Sequence, residues 1–444
     1  MRANLGLAGA SRRLGVSPHH LASAAHVKVL IVNKFVHHVG GVETYVDWQA
    51  RNLARIGIEA QFFGMNPPPG YEIMPSLHGR VSLTPNREFN GAKLPAAKAA
   101  INSVYSPVVE HLLNSTIDEF EPDLVHFHST SRQLTPSVAR AVTRRSLPGI
   151  LTAHEYKQVC ATQRLWDERR NEVCTDCLSG SALTRMKNIA VRRCVRGSTV
   201  ASAFAMPEIP IADYLWNRSN VVIHAPSRFM ADVMEKAPYI TNRVRTLDLP
   251  WGAPEPRVAA KGWERRAIYM GRLEKEKGIN VLLDAWEIVQ RGDASAELII
   301  AGGGSELGRL KLKAQTMGLQ GVRFTGRYER SMLGDLLRQV AVSVHPSEWH
   351  ENSPYTVRES LLHGVPAIVS NVGGMPEMVD GESGTVVPPR DGAALAQAIV
   401  AEFARRSAGT EDLRNAVAKR AMTDDDHLKG LEALYGMAAS VMLR

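Results

Sequence analysis

Two stretches of the 444-residue sequence carry side chains that could do chemistry, and each follows a run that reads as a β-strand. The first is Tyr269-Met270-Gly271-Arg272-Leu273-Glu274-Lys275-Glu276-Lys277-Gly278. Gly271 lets the backbone turn tightly, and Arg272 and Lys277 set two cations beside the start of a helix. Free N–H groups at a helix N-terminus together with fixed positive charge are what a diphosphate needs. A surface helix start rich in Glu and Lys would look similar. The second stretch runs from His345 to Glu359 and holds two acids, Glu351 and Glu359. A helix beginning near Pro354 leaves Glu351 just before it and Glu359 about one and a half turns inside. The N–H groups of Ser353, Tyr355 and Thr356, with Asn352 beside them, are then open to phosphate. One carboxylate can grip the hydroxyls of a sugar and the other those of a ribose. Acids at this spacing also occur by chance on many helices. Their position after a strand, with Gly364-Val365-Pro366 and Asn371-Val372-Gly373-Gly374-Met375-Pro376-Glu377 following, makes the signal specific.

The elements that must position these residues follow from hydrophobic period. In a first block, strands are predicted at 27–32, 60–63, 123–127, 149–153 and, as the last of the block, 221–226. Gly40-Gly41 ends the loop after the first of them. A helix then buries Val42, Tyr45, Val46, Ala50 and Leu53 on one face. In a second block, strands are predicted at 267–270, 297–301, 322–325, 340–344 and 367–370, with helical patterns between them. Strand–helix alternation of this kind specifies a parallel doubly wound sheet in each block, and ligands of such sheets bind beyond the carboxyl ends of the strands. The expected organisation is a mobile tail (1–26), a first Rossmann-like domain (27–225), a second (226–423), and a C-terminal helix (424–444) crossing back to the first. Asp424-Asp425-Asp426 reads as an N-cap run for that helix rather than a metal motif. Ala301-Gly302-Gly303-Gly304 lacks the full spacing of a dinucleotide fingerprint.

The set GRLEKEKG (271–278), ENSPYTVRE (351–359), HGVPAIVSNVGGMPEMV (363–379) and ESGTVVP (382–388) resembles, in order and spacing, family 4 of the retaining GT-B glycosyltransferases, the glycosyl transferases of group 1. The likeness covers nearly all of 221–405. It is sparser in the first domain, at Gly40-Gly41-Val42-Glu43, Asp123-Leu124-Val125-His126 and Thr152-Ala153-His154. The resemblance implies a GT-B fold, two Rossmann-like domains facing a cleft. It implies that Arg272 and Lys277 bind the diphosphate of a nucleotide-sugar donor, that Glu351 holds the transferred sugar and Glu359 the ribose, and that Gly40 and Gly41 let a backbone loop approach from the other domain. His154 would lie at the cleft near the reacting sugar; a buried, satisfied core histidine is its plainer reading. The implied chemistry is a front-face displacement without a cofactor or catalytic metal. Asn352-Ser353 stands where the family often has Gly-Phe, which bears on sugar identity more than on reaction type. Rival functions on the same fold are an isomerase or phosphorylase and a catalytically silent nucleotide-binding partner.

Composition bounds the rest. Apolar residues make up 44% and charged residues 22%, a soluble globular mix. No window nears the roughly 18 apolar residues of a spanning helix, and the N-terminus lacks the apolar core of a secretion signal, so a cytoplasmic enzyme is expected. The net charge of +8 lies entirely before residue 226. Such a basic half suits an anionic partner, a phospholipid surface or lipid-linked acceptor, although a solvated Arg-rich face is the plainer account. No nucleic-acid motif accompanies the charge. From Leu183 to Arg196 the cations Arg185, Lys187, Arg192, Arg193 and Arg196 alternate with Leu183, Met186, Ile189 and Val191, the pattern of a peripheral membrane helix or of a packed helix with a basic outer face. Cys160, Cys174, Cys177 and Cys194 offer a Cys-x2-Cys pair with two flanking thiols. A structural zinc site is one reading; iron–sulfur ligation, disulfides and free thiols are the others.

Overall fold

The computed structural model describes residues 27–86, 104–195, 197–252, 263–407 and 413–440. The expected tail 1–26 and Arg196 lie outside them.

Two parallel sheets form the frame. The first orders its seven strands β3-β2-β1-β4-β5-β8-β9, with β1 Val27–Phe35, β2 Ile58–Met65, β3 Val81–Thr84, β4 Leu124–Phe127, β5 Gly149–Thr152, β8 Val221–Ala225 and β9 Val244–Thr246. A separate antiparallel hairpin, β6 Trp166–Asp167 with β7 Glu172–Val173, stands between β5 and β8 in the chain. The second sheet orders six strands β12-β11-β10-β13-β14-β15, from β10 Arg266–Met270, β11 Glu297–Ala301, β12 Val322–Gly326, β13 Val342–His345, β14 Ala367–Ser370 and β15 Gly384–Val387. The near-continuous apolar runs of β1 and β11 follow from helices covering both faces of a parallel sheet. Val29 and Ile31 face one helical layer, and Leu30 and Val32 the other.

Strand order reverses between β1 and β4 in the first sheet and between β10 and β13 in the second. A crevice opens at such a switch point beyond the strand ends. The Gly40-Gly41 loop follows β1, the Gly271–Gly278 loop follows β10, and the loop holding Glu351 follows β13. Topology alone therefore directs the informative residues toward each other.

Five strands, β3, β6, β7, β9 and β15, lie outside those expected from the sequence, and β6 and β7 have only two residues each. β3 is only four residues long and β9 three, with Arg245 and Thr246 exposed, so neither shows a readable apolar run. β9 pairs with β8, so 221–226 is not the last strand of the first sheet, and that domain reaches about residue 246 rather than 225. β15 lies inside the Glu382–Pro388 motif, where the sequence reading places no strand.

The C-terminal helix, Asp424–Ser440, returns to the first domain and buries Leu428, Leu431, Leu434, Tyr435 and Ala438 against a core containing Val29, Ile31 and Val46. Its cap is Thr423, whose Oγ1 accepts the Asp426 N–H at 3.1 Å. The three acids occupy the first turn instead. One of them, Asp424, accepts the Trp48 indole N–H at 2.9 Å and ties the helix to the first domain. Among the described residues no helix is long and apolar enough to cross a membrane.

Candidate active site

A cavity of about 1260 Å³, its open mouth included, lies between the carboxyl ends of the two sheets. Gly40, Gly41, His154, Arg272, Lys277, Glu351, Asn352, Ser353, Tyr355 and Thr356 all line it.

On the second domain, close backbone contacts shape the two loops. Leu273 N–H donates to the Gly303 carbonyl at 2.9 Å, and a Cβ on Gly302 would stand 1.8 Å from the Gly271 oxygen. The glycine run after β11 therefore serves to seat the Gly271–Gly278 loop. Gly278 has φ +70, and a Cβ there would meet the Pro346 oxygen at 1.9 Å, so the loops after β10 and β13 run side by side. Lys277 Nζ donates to Glu351 Oε1, and Ser347 Oγ donates to the same oxygen at 3.0 Å. The Lys277 ammonium also stands 4.9 Å from the Trp349 ring centroid. Burial pushes the Glu351 carboxyl up, but the Lys277 charge and hydrogen bonds outweigh it and hold it below the usual carboxylate range. Glu351 is thus a carboxylate facing the cavity. Arg272 is exposed at the rim and forms no salt bridge among the described residues.

The helix Tyr355–Leu362 opens at Pro354, leaving the N–H groups of Tyr355 and Thr356 without intrahelical partners, while Val357 N–H donates to the Pro354 carbonyl at 3.3 Å. From the first domain, Gly41 meets this helix: a Cβ there would lie 2.9 Å from Tyr355 Cδ2. Gly40 donates its N–H to Glu43 Oε2 at 3.0 Å, and Glu43 also accepts from Asn33 at 3.1 Å. Burial raises the Glu43 carboxyl.

His154 shares a 3.0 Å hydrogen bond with His128, and burial lowers its pKa to about 3, so the imidazole is neutral at physiological pH. It lines the cavity wall.

A model of "Glycosyl transferases group 1" matches residues 264–403, and one of "Glycosyl transferase 4-like domain" matches residues 40–245. Between them they take in both walls of the cleft. The chain belongs to the group 1 glycosyltransferases.

This glycosyltransferase is 32% identical over 162 residues to glycogen synthase of Mycobacterium tuberculosis, an alignment covering 36% of this chain and 38% of that one. The match thus spans well under half of that relative's length. With a GDP-mannose-dependent alpha-mannosyltransferase of the same species, identity is 24% over 367 residues, covering 80% and 81%. Among solved structures, sucrose-phosphate synthase from Thermosynechococcus elongatus superposes with a TM-score of 0.64 at 17% identity, covering 93% of this chain and 98% of that one. HepE from Anabaena in complex with UDP and glucose gives 0.63 at 16%, covering 93% and 100%. These likenesses show the GT-B architecture.

Several expected residues of the glycosyltransferase have other commitments. Asn352 donates to the Ala153 carbonyl at 2.9 Å and accepts from Ser227 Oγ at 2.7 Å, so its amide joins the two domains. Ser353 Oγ accepts from Arg358. Glu359 is not among the cavity-lining residues; it lies further along the helix, its carboxyl raised by burial against the opposing pull of Arg330. Arg358 carries no signal in the sequence that sets it apart. It is 1% exposed, donates to Asp248 Oδ1 at 2.6 Å, and its guanidinium stands 5.7 and 5.4 Å from the Trp251 and Tyr355 ring centroids. Its partner Asp248 is far off in sequence, so no local pattern could have marked it.

The four cysteines are free and half-buried. Burial and the neighbouring thiols push Cys177 up to about 11 and Cys194 up to about 12. Among the described residues no three His, Cys, Asp or Glu side chains are arranged to hold a metal ion. The basic segment around them is largely consumed internally: Arg144 pairs with Glu110, Lys157 with Glu208, Arg185 with Asp213, and Arg192 with Asp167 and Asp176.

Proposed function

We propose that this glycosyltransferase moves a sugar from a UDP- or GDP-sugar to a hydroxyl of an acceptor glycan or lipid-linked glycan, with retention at the anomeric carbon. The observation that carries the reading is the convergence of Arg272, the Lys277–Glu351 pair and the Gly40-Gly41 loop on one interdomain cavity. Arg272, Lys277 and the N-terminus of the Tyr355–Leu362 helix would receive the diphosphate, and stabilising the departing charge is commonly the largest catalytic term. Glu351 would grip hydroxyls of the sugar. The bond from the anomeric carbon to the diphosphate oxygen breaks while the acceptor oxygen bonds to the same face, and the acceptor proton passes to the leaving phosphate. Neutral His154 positions the sugar and transfers no proton. Positive charge comes from Arg272 and Lys277, so the reading assigns no step to a metal.

Relatives support the donor class: one is named for GDP-mannose, and one neighbour was solved with UDP and glucose. An isomerase or phosphorylase could share the diphosphate contacts, but the group 1 membership favours transfer. The silent-partner alternative lacks the expected loss of Glu351, Lys277 or Arg272. Melting the protein with UDP, GDP or ADP tests the site. A nucleotide at about 100 times its dissociation constant adds about 2.7 kcal/mol, and Arg272→Ala should erase the shift. No shift with any of the three would bring the silent-partner reading forward.

We also infer that the first domain rests on an anionic membrane surface. Leu183, Val191, Val200, Phe204 and Tyr214 are exposed along three successive helices, Ala182–Arg192, Thr199–Ala205 and Glu208–Asn217. Lys187 and Arg193, which make no ion pair among the described residues, lie beside them. Exposed apolar side chains among unpaired cations fit a membrane interface. A phosphatidyl-myo-inositol mannosyltransferase of Mycobacterium leprae is among the relatives, 32% identical over 140 residues.

A further inference from the structure

We propose that the β6–β7 hairpin is a strap that reaches across the cleft and holds the two donor loops, with Arg164 and Arg390 as its positioning residues. The proposal rests on the reading of the cleft as a donor site.

The hairpin has two residues per strand and belongs to neither large sheet, and it is seated on the first domain by buried Leu165, beside buried Trp166. It is also rigidly braced. Asp167 Oδ1 accepts the N–H groups of Arg169 and Arg170 at 3.0 and 3.1 Å, and its Oδ2 accepts from Arg192 at 2.8 Å. From this braced base two contacts cross to the second domain.

At one end, the Arg164 guanidinium lies 3.5 Å from Glu276 Oε1. Glu276 is 4% exposed, and this oxygen has no hydrogen-bond partner among the described residues. The same Arg164 nitrogen donates to Glu168 Oε1 at 3.2 Å, so its charge is shared between an exposed carboxylate and this buried one. At the other end, Arg390 Nη2 donates to the Asn171 carbonyl at the hairpin turn, and its guanidinium stands 5.8 Å from the Trp166 ring centroid. Arg390 Nε donates to Glu348 Oε2 at 2.6 Å. Glu348 N–H donates in turn to the Glu276 carbonyl at 2.9 Å.

The contacts thus close a circuit: hairpin, Arg164, Glu276, Glu348, Arg390, hairpin. Glu276 precedes Lys277, and Glu348 lies three residues before Glu351. The circuit therefore grips both loops that present the Lys277–Glu351 pair, and it does so from the opposite domain. Backbone strain collects here as well. Gln163, Leu165, Asn171 and Arg390 have φ of +71, +52, +54 and +63, four of the nine non-glycine residues with positive φ among those described. Such conformations persist where surrounding contacts over-determine them, and they gather at switch and binding segments.

The test is nucleotide titration of Arg164→Ala, Arg164→Lys and Arg390→Ala by calorimetry, with hydrogen exchange of residues 166–173 followed in parallel. Each alanine variant should weaken the nucleotide that binds the wild type about tenfold. Arg164→Lys should stay within about twofold, because both Arg164 ion pairs run through one nitrogen and need charge rather than a fork. The double alanine variant should fall short of the product of the singles, because the contacts act as one unit. Exchange at 166–173 should accelerate in Arg390→Ala. Unchanged affinity in both alanine variants, or unchanged exchange, would overturn the strap. If the wild type binds no nucleotide, the donor reading fails instead. Exchange then decides alone: acceleration in Arg390→Ala supports the strap, and wild-type exchange removes it.

Discussion

Glycines 40, 41 and 373 look alike in the sequence and do different work. At Gly373 the backbone has φ +63, and a Cβ would stand 2.0 Å from the Glu351 oxygen. Gly374 N–H donates to that same carbonyl at 2.7 Å. The Asn371–Glu377 segment is thus the support on which Glu351 rests. Gly373→Ala should cost about 1–2 kcal/mol from left-handed backbone alone, and the clash should displace Glu351. We expect a lower melting temperature and loss of any nucleotide-induced shift. Gly381→Ala is the control, because nothing lies within 4 Å of the Cβ that alanine would add there, its φ is not positive, and it does not line the cavity. A nucleotide shift of wild-type size in Gly373→Ala would refute this role for the loop.

At the scale of elements, the helices between 182 and 217 differ from the rest of the first domain. Helix Ala182–Arg192 turns only Arg185 and Ile189 fully inward, while Leu183, Lys187 and Val191, spaced four apart, share an exposed face. The sequence pattern assigns Arg185 to a basic face. In the structure it is 4% exposed, paired with Asp213 and stacked 3.5 Å from the Tyr239 ring centroid. The surface charge left over is therefore smaller than composition implies, and apolar contact must supply much of any membrane affinity. Each surviving cation adds about 1 kcal/mol near an anionic surface. Co-sedimentation with phosphatidylcholine vesicles should be weak and should rise when phosphatidylserine is included. Leu183→Asp with Val191→Asp should abolish the gain. Binding indifferent to the anionic lipid would count against this surface.

For the whole molecule, the junction of the first sheet and the C-terminal helix is a histidine cluster. His126 bonds to Tyr435 and Thr152 at 2.9 and 2.7 Å, Thr152 to His224 at 2.9 Å, and His427 to Tyr45 at 2.8 Å. Burial is the first cause in every case: it lowers His224 to about 4 and His154 and His427 to about 3, and depresses His126 and His128 well below the usual histidine range. Unfolded, each would titrate near 6.5. Below that pH the unfolded chain binds more protons than the native one, so stability is full above about pH 6.5 and falls as pH drops toward 4. The slope is up to about 1.4 kcal/mol per pH unit for each histidine. Melting temperatures should therefore decline steeply from pH 6.5 to 4.5, and His224→Gln should flatten the decline. A flat profile over that interval would show that the cluster is solvated. Long apolar strands and short motifs after them are local features, so two Rossmann-like blocks, the Arg272–Lys277 loop and the Glu351 loop were legible in residue order. Short strands such as β9 and the β6–β7 hairpin were not, because two or three residues carry no period. The sequence by itself determined which loops follow which strands, and hence which residues could meet. Only the tertiary structure decided that Asn352 joins the domains, that Glu359 stands outside the cavity wall, and that Arg358 finds Asp248 and Arg164 finds Glu276. Those partners lie 110 and 112 positions apart, and burial, which gives such pairs their weight, exists only once both sheets and the crossing helix are in place.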